Sequence, residues 1–163
     1  MRTALFALAL VVLLLPTTSV YAAHAQTASG NWTDQQVLFL SQTVSGSSIV
    51  IQSAVTGTIS GTFSGTFVAT GVTTVDSTGV ATYQATDYCF CSVGRQTGLI
   101  TFAETGEVVP TSTPGIGSLT SVATIVPSQT TIGGLTGQIT LTGTANGNTF
   151  LTFGSYAGSI SSR

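Results

Sequence analysis

The stretch Val55–Ala69, VTGTISGTFSGTFVA, alternates between two kinds of side chain. Its odd-numbered positions are apolar residues or glycine, and its even-numbered positions are Thr or Ser, except for Val68. Because successive side chains of a β-strand point to opposite faces, this alternation predicts a strand with one apolar face and one hydroxyl-bearing face. Glycine at every fourth position leaves room beside the large side chains, which is typical of a strand that bends at a barrel corner.

Similar short runs occur on both sides of this stretch and are separated by turn signals such as Asn146-Gly147. The predicted strands are Gln36–Val44, Ser48–Val55, Val55–Ala69, Val80–Tyr88, Gly98–Glu104, Ser118–Val126, Leu135–Gly143 and Phe150–Ile160. Strands at this spacing predict an all-β fold. We favour an eight-stranded antiparallel β-barrel, with a β-sandwich as the alternative. A closed barrel would leave no sheet edges, which matters in a chain with so few charges.

The N-terminus has the three parts of a secretory signal peptide. Met1-Arg2 is a short positive segment, Ala4–Leu15 is continuously apolar, and Ala23-His24-Ala25 is a small-residue cleavage signal. The apolar segment is shorter than the roughly 20 residues that a membrane-spanning helix needs. We therefore expect cleavage after Ala25 and a secreted, extracellular or periplasmic protein whose residues 26–163 form one β-barrel domain.

Composition excludes several classes of function. The chain has three Lys or Arg residues, five Asp or Glu residues and a net charge of −2. After Ala25 it contains no His and no Lys, so Ser-His-Asp and Cys-His nucleophile pairs, Schiff-base lysines and imidazole metal ligands are excluded. We predict no cofactor and no metal. Without a basic patch we also predict no nucleic-acid partner and, after signal cleavage, no membrane partner.

Cys89 and Cys91 flank Phe90. Residues two apart in a flat strand lie about 6.6 Å apart, near the upper limit for a disulfide. A bridge between them would therefore need a bulge or a turn, although export would favour oxidation. Two inert buried thiols and a redox pair near Arg95 remain the alternatives.

Three carboxylates lie on or near the predicted barrel strands: Asp87, Glu104 and Glu107. Paired carboxylates can perform acid–base chemistry of the glycosidase type. The alternative places them at solvated strand ends, or makes one of them a partner of Arg95. Glu104 is the strongest candidate for an interior carboxylate, because it shares a strand face with Ile100 and Phe102.

Three segments resemble the small secreted bacterial proteins with an allene oxide cyclase-like barrel. They are Gly57–Phe63 with the following Ala81-Thr82-Tyr83, Val93–Phe102 and Thr131–Gly143. The sequence departs from the family pattern at Val126-Pro127-Ser128. The resemblance implies an eight-stranded antiparallel barrel with an apolar interior. It does not imply the cyclase activity, because none of that enzyme's catalytic residues can be matched to a position in this chain.

The large residues of the predicted inner faces are candidates to line a ligand cavity, with filling of the core as the alternative. The candidates are Phe63, Phe67, Tyr83, Phe102, Glu104 and Leu135. The sequence thus favours a secreted, non-catalytic β-barrel that binds a small apolar ligand. The alternatives are an extracellular structural or adhesive surface protein, which could be oligomeric, and an isomerase or cyclase that uses Glu104 on a lipid-like substrate.

Overall fold

A computed structural model describes residues 24–162 of the chain, which form eight strands and one 3-10 turn at Pro127–Gln129. The strands are β1 (His24–Ser45), β2 (Ser48–Gly61), β3 (Phe63–Val75), β4 (Ala81–Val93), β5 (Gln96–Pro110), β6 (Ile116–Ile125), β7 (Thr136–Asn146) and β8 (Leu151–Ser162). The predicted signal peptide lies outside the described residues, apart from His24 and Ala25 at the start of β1.

The eight strands form one closed antiparallel sheet. Each strand pairs with the next along the chain, and β8 pairs with β1 from Gln35↔Leu151 to His24↔Ser162. Antiparallel neighbours need only short turns between them, so this order requires no crossover connection. The predicted eight-stranded antiparallel barrel is confirmed, and the sandwich alternative is wrong because the sheet does not divide into two layers.

The Val55–Ala69 stretch is a hairpin, so the prediction that it forms one bent strand is wrong. It folds back at Thr62, and Val55 pairs with Ala69 across β2 and β3. Gly61 has φ +108°, a backbone conformation that favours glycine. Both arms place their odd positions inside, where Ile59 and Phe63 are buried. The two faces are therefore as predicted, but the chain reverses between them.

One end of the barrel is filled by side chains; we call it the closed end. It holds both ends of the described chain and the turns after β2, β4 and β6. Phe63 meets Phe102 edge-on, with ring centroids 5.4 Å apart. The segment after β6 runs beside β5, with the Val126 amide donating to the Thr101 carbonyl at 2.8 Å. That segment places Ile132 and Leu135 against the core.

The opposite end carries the turns after β1, β3, β5 and β7, and we call it the open end. Here β1 continues beyond β8, because its pairing with β8 stops at Gln35 whereas its pairing with β2 reaches Ser45. Val37 and Leu40 are more than half exposed on this extension. Within residues 24–162, ring closure therefore leaves one edge of β1 unpaired, and the expectation that no sheet edge remains is wrong.

Candidate functional site

A cavity of about 270 Å³ occupies the open half of the barrel. Much of its wall is apolar, because inward positions of most strands carry aliphatic or aromatic residues there. Among them are Val55, Phe67, Ala69, Ala85, Val108 and Leu119. Polar side chains share the wall, among them Asp34, Gln36, Tyr83, Glu104 and Thr152. An apolar wall with a few polar groups is the usual composition of a small-molecule site.

Glycines opposite aromatic rings shape the cavity. Gly57 pairs with Phe67, and a Cβ atom at Gly57 would lie 2.5 Å from Cζ of that ring. Gly106 pairs with Tyr83 in the same way, with a corresponding distance of 2.8 Å to Tyr83 Cζ. Each ring can therefore lie flat over its neighbouring strand. The expectation that the glycines of Val55–Ala69 leave room for large side chains is met at Gly57, and Gly106 of β5 does the same outside that stretch.

The structure divides the six predicted pocket residues into two groups. Phe67, Tyr83 and Glu104 line the cavity. Phe63, Phe102 and Leu135 lie in the packed core of the closed end, and none of them is more than 4 % exposed. The inward-facing pattern is the same in both groups, but the position along the barrel axis differs.

Glu104 lies between two inward-facing residues of β4. It pairs with Ala85, so Tyr83 and Asp87 are its diagonal neighbours across the two strands. The Tyr83 hydroxyl donates a hydrogen bond of 2.7 Å to Glu104 Oε1. Burial, followed by the adjacent charge of Glu104, raises the pKa of the Tyr83 hydroxyl. The Tyr83 hydroxyl therefore stays protonated at any ordinary pH and can donate to Glu104.

Asp87 is the most deeply buried carboxyl group of the described chain, with 9 % exposure. Burial raises its pKa well above 3.8, and the neighbouring charge of Glu104 raises that pKa further. Its Oδ1 atom has no hydrogen-bond partner among residues 24–162. The interpretation of Asp87 as a solvated strand-end residue is wrong, because it shares the inner face of β4 with Cys89 and Cys91.

Asp34 brings a second carboxyl group into the cavity, from the wall opposite Glu104. It pairs with Thr152 of β8, whose hydroxyl donates to Asp34 Oδ1. Burial raises the pKa of Asp34 from 3.8 to about 6; the Thr152 hydrogen bond acts against this shift, and the charge of Glu104 adds to it. The cavity therefore holds acidic groups on two facing walls.

No basic side chain of residues 24–162 lies in this cavity. Arg95, the one Lys or Arg within that range, is exposed in the turn between β4 and β5 at the closed end. The carboxyl groups are thus held by hydroxyl donors alone. Like charges in a poorly solvated site favour protonation, which is the direction of the Asp34 and Asp87 pKa values.

The structure joins Cys89 to Cys91 in a disulfide on the inner face of β4, with their Cα atoms 5.3 Å apart. The pairing of β4 with β5 continues in register past both residues. The expectation that a bridge here needs a bulge or a turn stays a prediction. Strand pleat and twist already bring the two Cα atoms within the range that a disulfide spans.

Sequence reasoning missed the contribution of β1 to the site. The region before Gln36 was not predicted as a strand, because its polar composition hides the alternation. Trp32 and Asp34 are two residues apart and both line the cavity, and the Trp32 indole N–H has no hydrogen-bond acceptor. The spacing of Trp32 and Asp34 could have predicted this, because residues two apart in a strand point to the same face.

Compared with models of protein families and with curated proteins, this chain matches none. The resemblance to allene oxide cyclase-like barrels therefore stays a prediction. In residues 24–162, no helix is long and apolar enough to cross a membrane. In the same residues, no group of three or more His, Cys, Asp or Glu side chains is placed to hold a metal ion.

Proposed function

We propose that this protein is a secreted, non-catalytic β-barrel that binds a small, largely apolar molecule in the open half of its barrel. The observation that carries the proposal is the cavity of about 270 Å³, whose wall combines Phe67, Val55 and Leu119 with a few polar groups. Barrels of eight strands are just wide enough to enclose one small ligand. The N-terminal sequence pattern supports secretion.

The size of the cavity limits the ligand. Pockets for drug-sized molecules occupy about 300–1,000 Å³, so this cavity suits a molecule at or below the lower limit of that class. The closed end is packed around Phe63 and Ile100, both fully buried. A ligand would therefore enter past the turns of the open end and stop above this core.

Filling the cavity with a larger side chain tests the proposal. Val55 faces the cavity and Thr56, its neighbour in β2, is exposed on the outer face. The neutral apolar probe N-phenyl-1-naphthylamine should bind saturably to the natural protein, with enhanced fluorescence. Val55→Trp should weaken this binding at least about tenfold, or about 1.4 kcal/mol, because the indole takes the space of the ligand. Thr56→Trp should leave it unchanged.

Two results would contradict the proposal. One is the absence of saturable probe binding to the natural protein. The other is equal weakening by Val55→Trp and Thr56→Trp, since the probe would then bind outside the barrel. A thermal unfolding scan of both variants would verify that each remains folded.

A second candidate function is an isomerase or cyclase, and one observation favours it. Asp87, whose pKa burial raises, is the diagonal neighbour of Glu104 across β4 and β5, so a buried carboxyl group adjoins a carboxyl group of the cavity wall. Such a pair can donate and accept a proton within one site. Loss of turnover in Glu104→Gln with ligand binding retained would support this candidate, and unchanged turnover would remove it.

A further inference from the structure

Two buried polar atoms in and beside the cavity have no hydrogen-bond partner in the described chain. One is the indole N–H of Trp32, which lines the cavity and is 5 % exposed; the other is Oδ1 of Asp87, the diagonal neighbour of Glu104. Buried polar groups normally have partners, because an unmet donor or acceptor costs about 1–3 kcal/mol. The Trp32 indole therefore requires an acceptor that the described chain does not supply.

The charges of the site favour one kind of occupant. A neutral apolar molecule would displace water from Asp34 and Glu104 and give nothing in return, which makes their ionised forms less stable. A cationic group would instead attract both carboxylates and reduce their mutual repulsion. No Lys or Arg of the described chain competes for this role, since Arg95 is exposed at the other end of the barrel.

We propose that the ligand is an organic ammonium compound: a small apolar body, with a protonated amine facing Glu104 and Asp34 and an oxygen acceptor near Trp32. This inference rests on the proposed binding function and names the class of its ligand. The ammonium group has donors for Glu104 and Asp34 and reduces the repulsion that acts on Asp87. The apolar body contacts Phe67, and the aromatic rings of Trp32 and Tyr83 add favourable faces for a cation.

A matched series of three compounds tests the charge requirement. 2-Amino-1-phenylethanol, 1-phenylethane-1,2-diol and mandelate share a ring and a hydroxyl group and carry a positive, a neutral and a negative terminus. By calorimetry at about pH 7.5, the amine should bind at least about tenfold more tightly than the diol, which corresponds to about 1.4 kcal/mol. Mandelate should show no binding, because its carboxylate would face Asp34 and Glu104.

The preference for the amine should decrease at low pH. The titratable groups on the wall opposite Asp34 are Glu104 and Tyr83, with Asp87 buried beside Glu104, and all three are acids. Because the pKa of Asp34 is about 6, this group is largely protonated at about pH 5 and loses its attraction for the cation. The amine-to-diol affinity ratio should therefore be smaller at about pH 5 than at about pH 7.5.

Two single variants complete the test. Glu104→Gln keeps an acceptor for Tyr83 but removes the charge, so it should lower the amine-to-diol ratio at least about threefold without weakening the diol. Glu107→Gln removes an exposed carboxylate from the outer face of the same strand and should leave the ratio unchanged.

The outcomes separate this inference from the proposed function. If the diol binds as tightly as the amine, or if neither binds while N-phenyl-1-naphthylamine does, the ammonium inference is overturned and the proposed function stands. If none of these molecules binds saturably, both are overturned. A ratio that is equally sensitive to Glu104→Gln and Glu107→Gln would also overturn the inference, because the charge effect would then be non-specific.

Discussion

Raising the pH from about 4 to about 8 should lower the free energy of unfolding of this protein by about 2.4 kcal/mol through Asp34 alone. The pKa of Asp34 is about 6 in the folded chain, against a reference value of 3.8. Between these two values the folded state binds more protons than the unfolded state. The stabilisation is therefore fully present below about pH 4 and is lost as the pH rises through about 6.

The raised pKa of Asp87 acts in the same direction and extends the loss further. Asp76 acts in the opposite direction, because hydrogen bonds from Thr78 and Val80 lower its pKa. That contribution changes below about pH 4, outside the window in which Asp34 titrates. Urea unfolding across this window is the appropriate measurement.

A matched pair of variants assigns the pH effect to the cavity. Asp34→Asn should remove the part of the slope that lies between about pH 4 and pH 6, since the amide has no proton to bind or release. Glu107→Gln, on the exposed face of β5, should retain the slope of the natural protein. A free energy of unfolding that stays constant or rises between about pH 4 and pH 8 would contradict the account.

Phe63→Ala should destabilise the barrel by about 3–5 kcal/mol. The Phe63 side chain is fully buried and contacts the rings of Phe102 and Tyr156, with centroid distances of 5.4 and 5.8 Å. Removing the ring leaves a void in the closed end that the strands around it cannot collapse to fill. Its backbone amide, which donates to the Tyr156 hydroxyl at 2.9 Å, is retained in the variant.

Phe90→Ala is the matched control for this prediction. Phe90 is 66 % exposed on the outer face of β4, so its truncation should change the free energy of unfolding by no more than about 0.5 kcal/mol. Denaturant titration of both variants measures the difference. If Phe63→Ala and Phe90→Ala lowered the free energy of unfolding equally, Phe63 would not be part of the barrel core.

The strand faces were predictable from the sequence, and the turn at Thr62 was not. An alternating stretch predicts which side chains share a face, because the period of a strand is two residues. Val55 and its antiparallel partner Ala69 are both odd-numbered. Odd positions therefore face inward on both strands of the hairpin, and the turn does not interrupt the alternation in the sequence. A strand of 15 residues and a hairpin of two shorter strands therefore have the same apolar pattern in this chain.

The candidate site was predictable in part, for a related physical reason. Phe67, Tyr83 and Glu104 were identified because they share a face with other large residues, and all three line the cavity. Side-chain periodicity contains no information about position along the barrel axis, so it could not separate them from Phe63 and Phe102. That separation depends on register between strands, which is a property of the assembled sheet.

The acidic residues were the hardest to place. Exposure is the usual condition of Asp and Glu, and that expectation led away from the inner position of Asp87. Asp87 lies an even number of residues from Tyr83, Cys89 and Cys91 along β4, so all four side chains are on the inner face. This alternation predicted the position of Asp87 correctly, whereas its charge did not. An acid on an apolar strand face is thus a signal for an interior site when no cation lies near it in the chain.

Carboxyl groups on facing walls lie inside the barrel, and no Lys or Arg of residues 24–162 lies among them. Carbon-13 NMR titration of the aspartate carboxyl signals, assigned with single Asp→Asn variants, tests this arrangement. We expect a midpoint of about 6 for Asp34, a raised midpoint for Asp87 and a lowered one for Asp76. Midpoints for Asp34 and Asp87 at or below the reference value of 3.8 would contradict it.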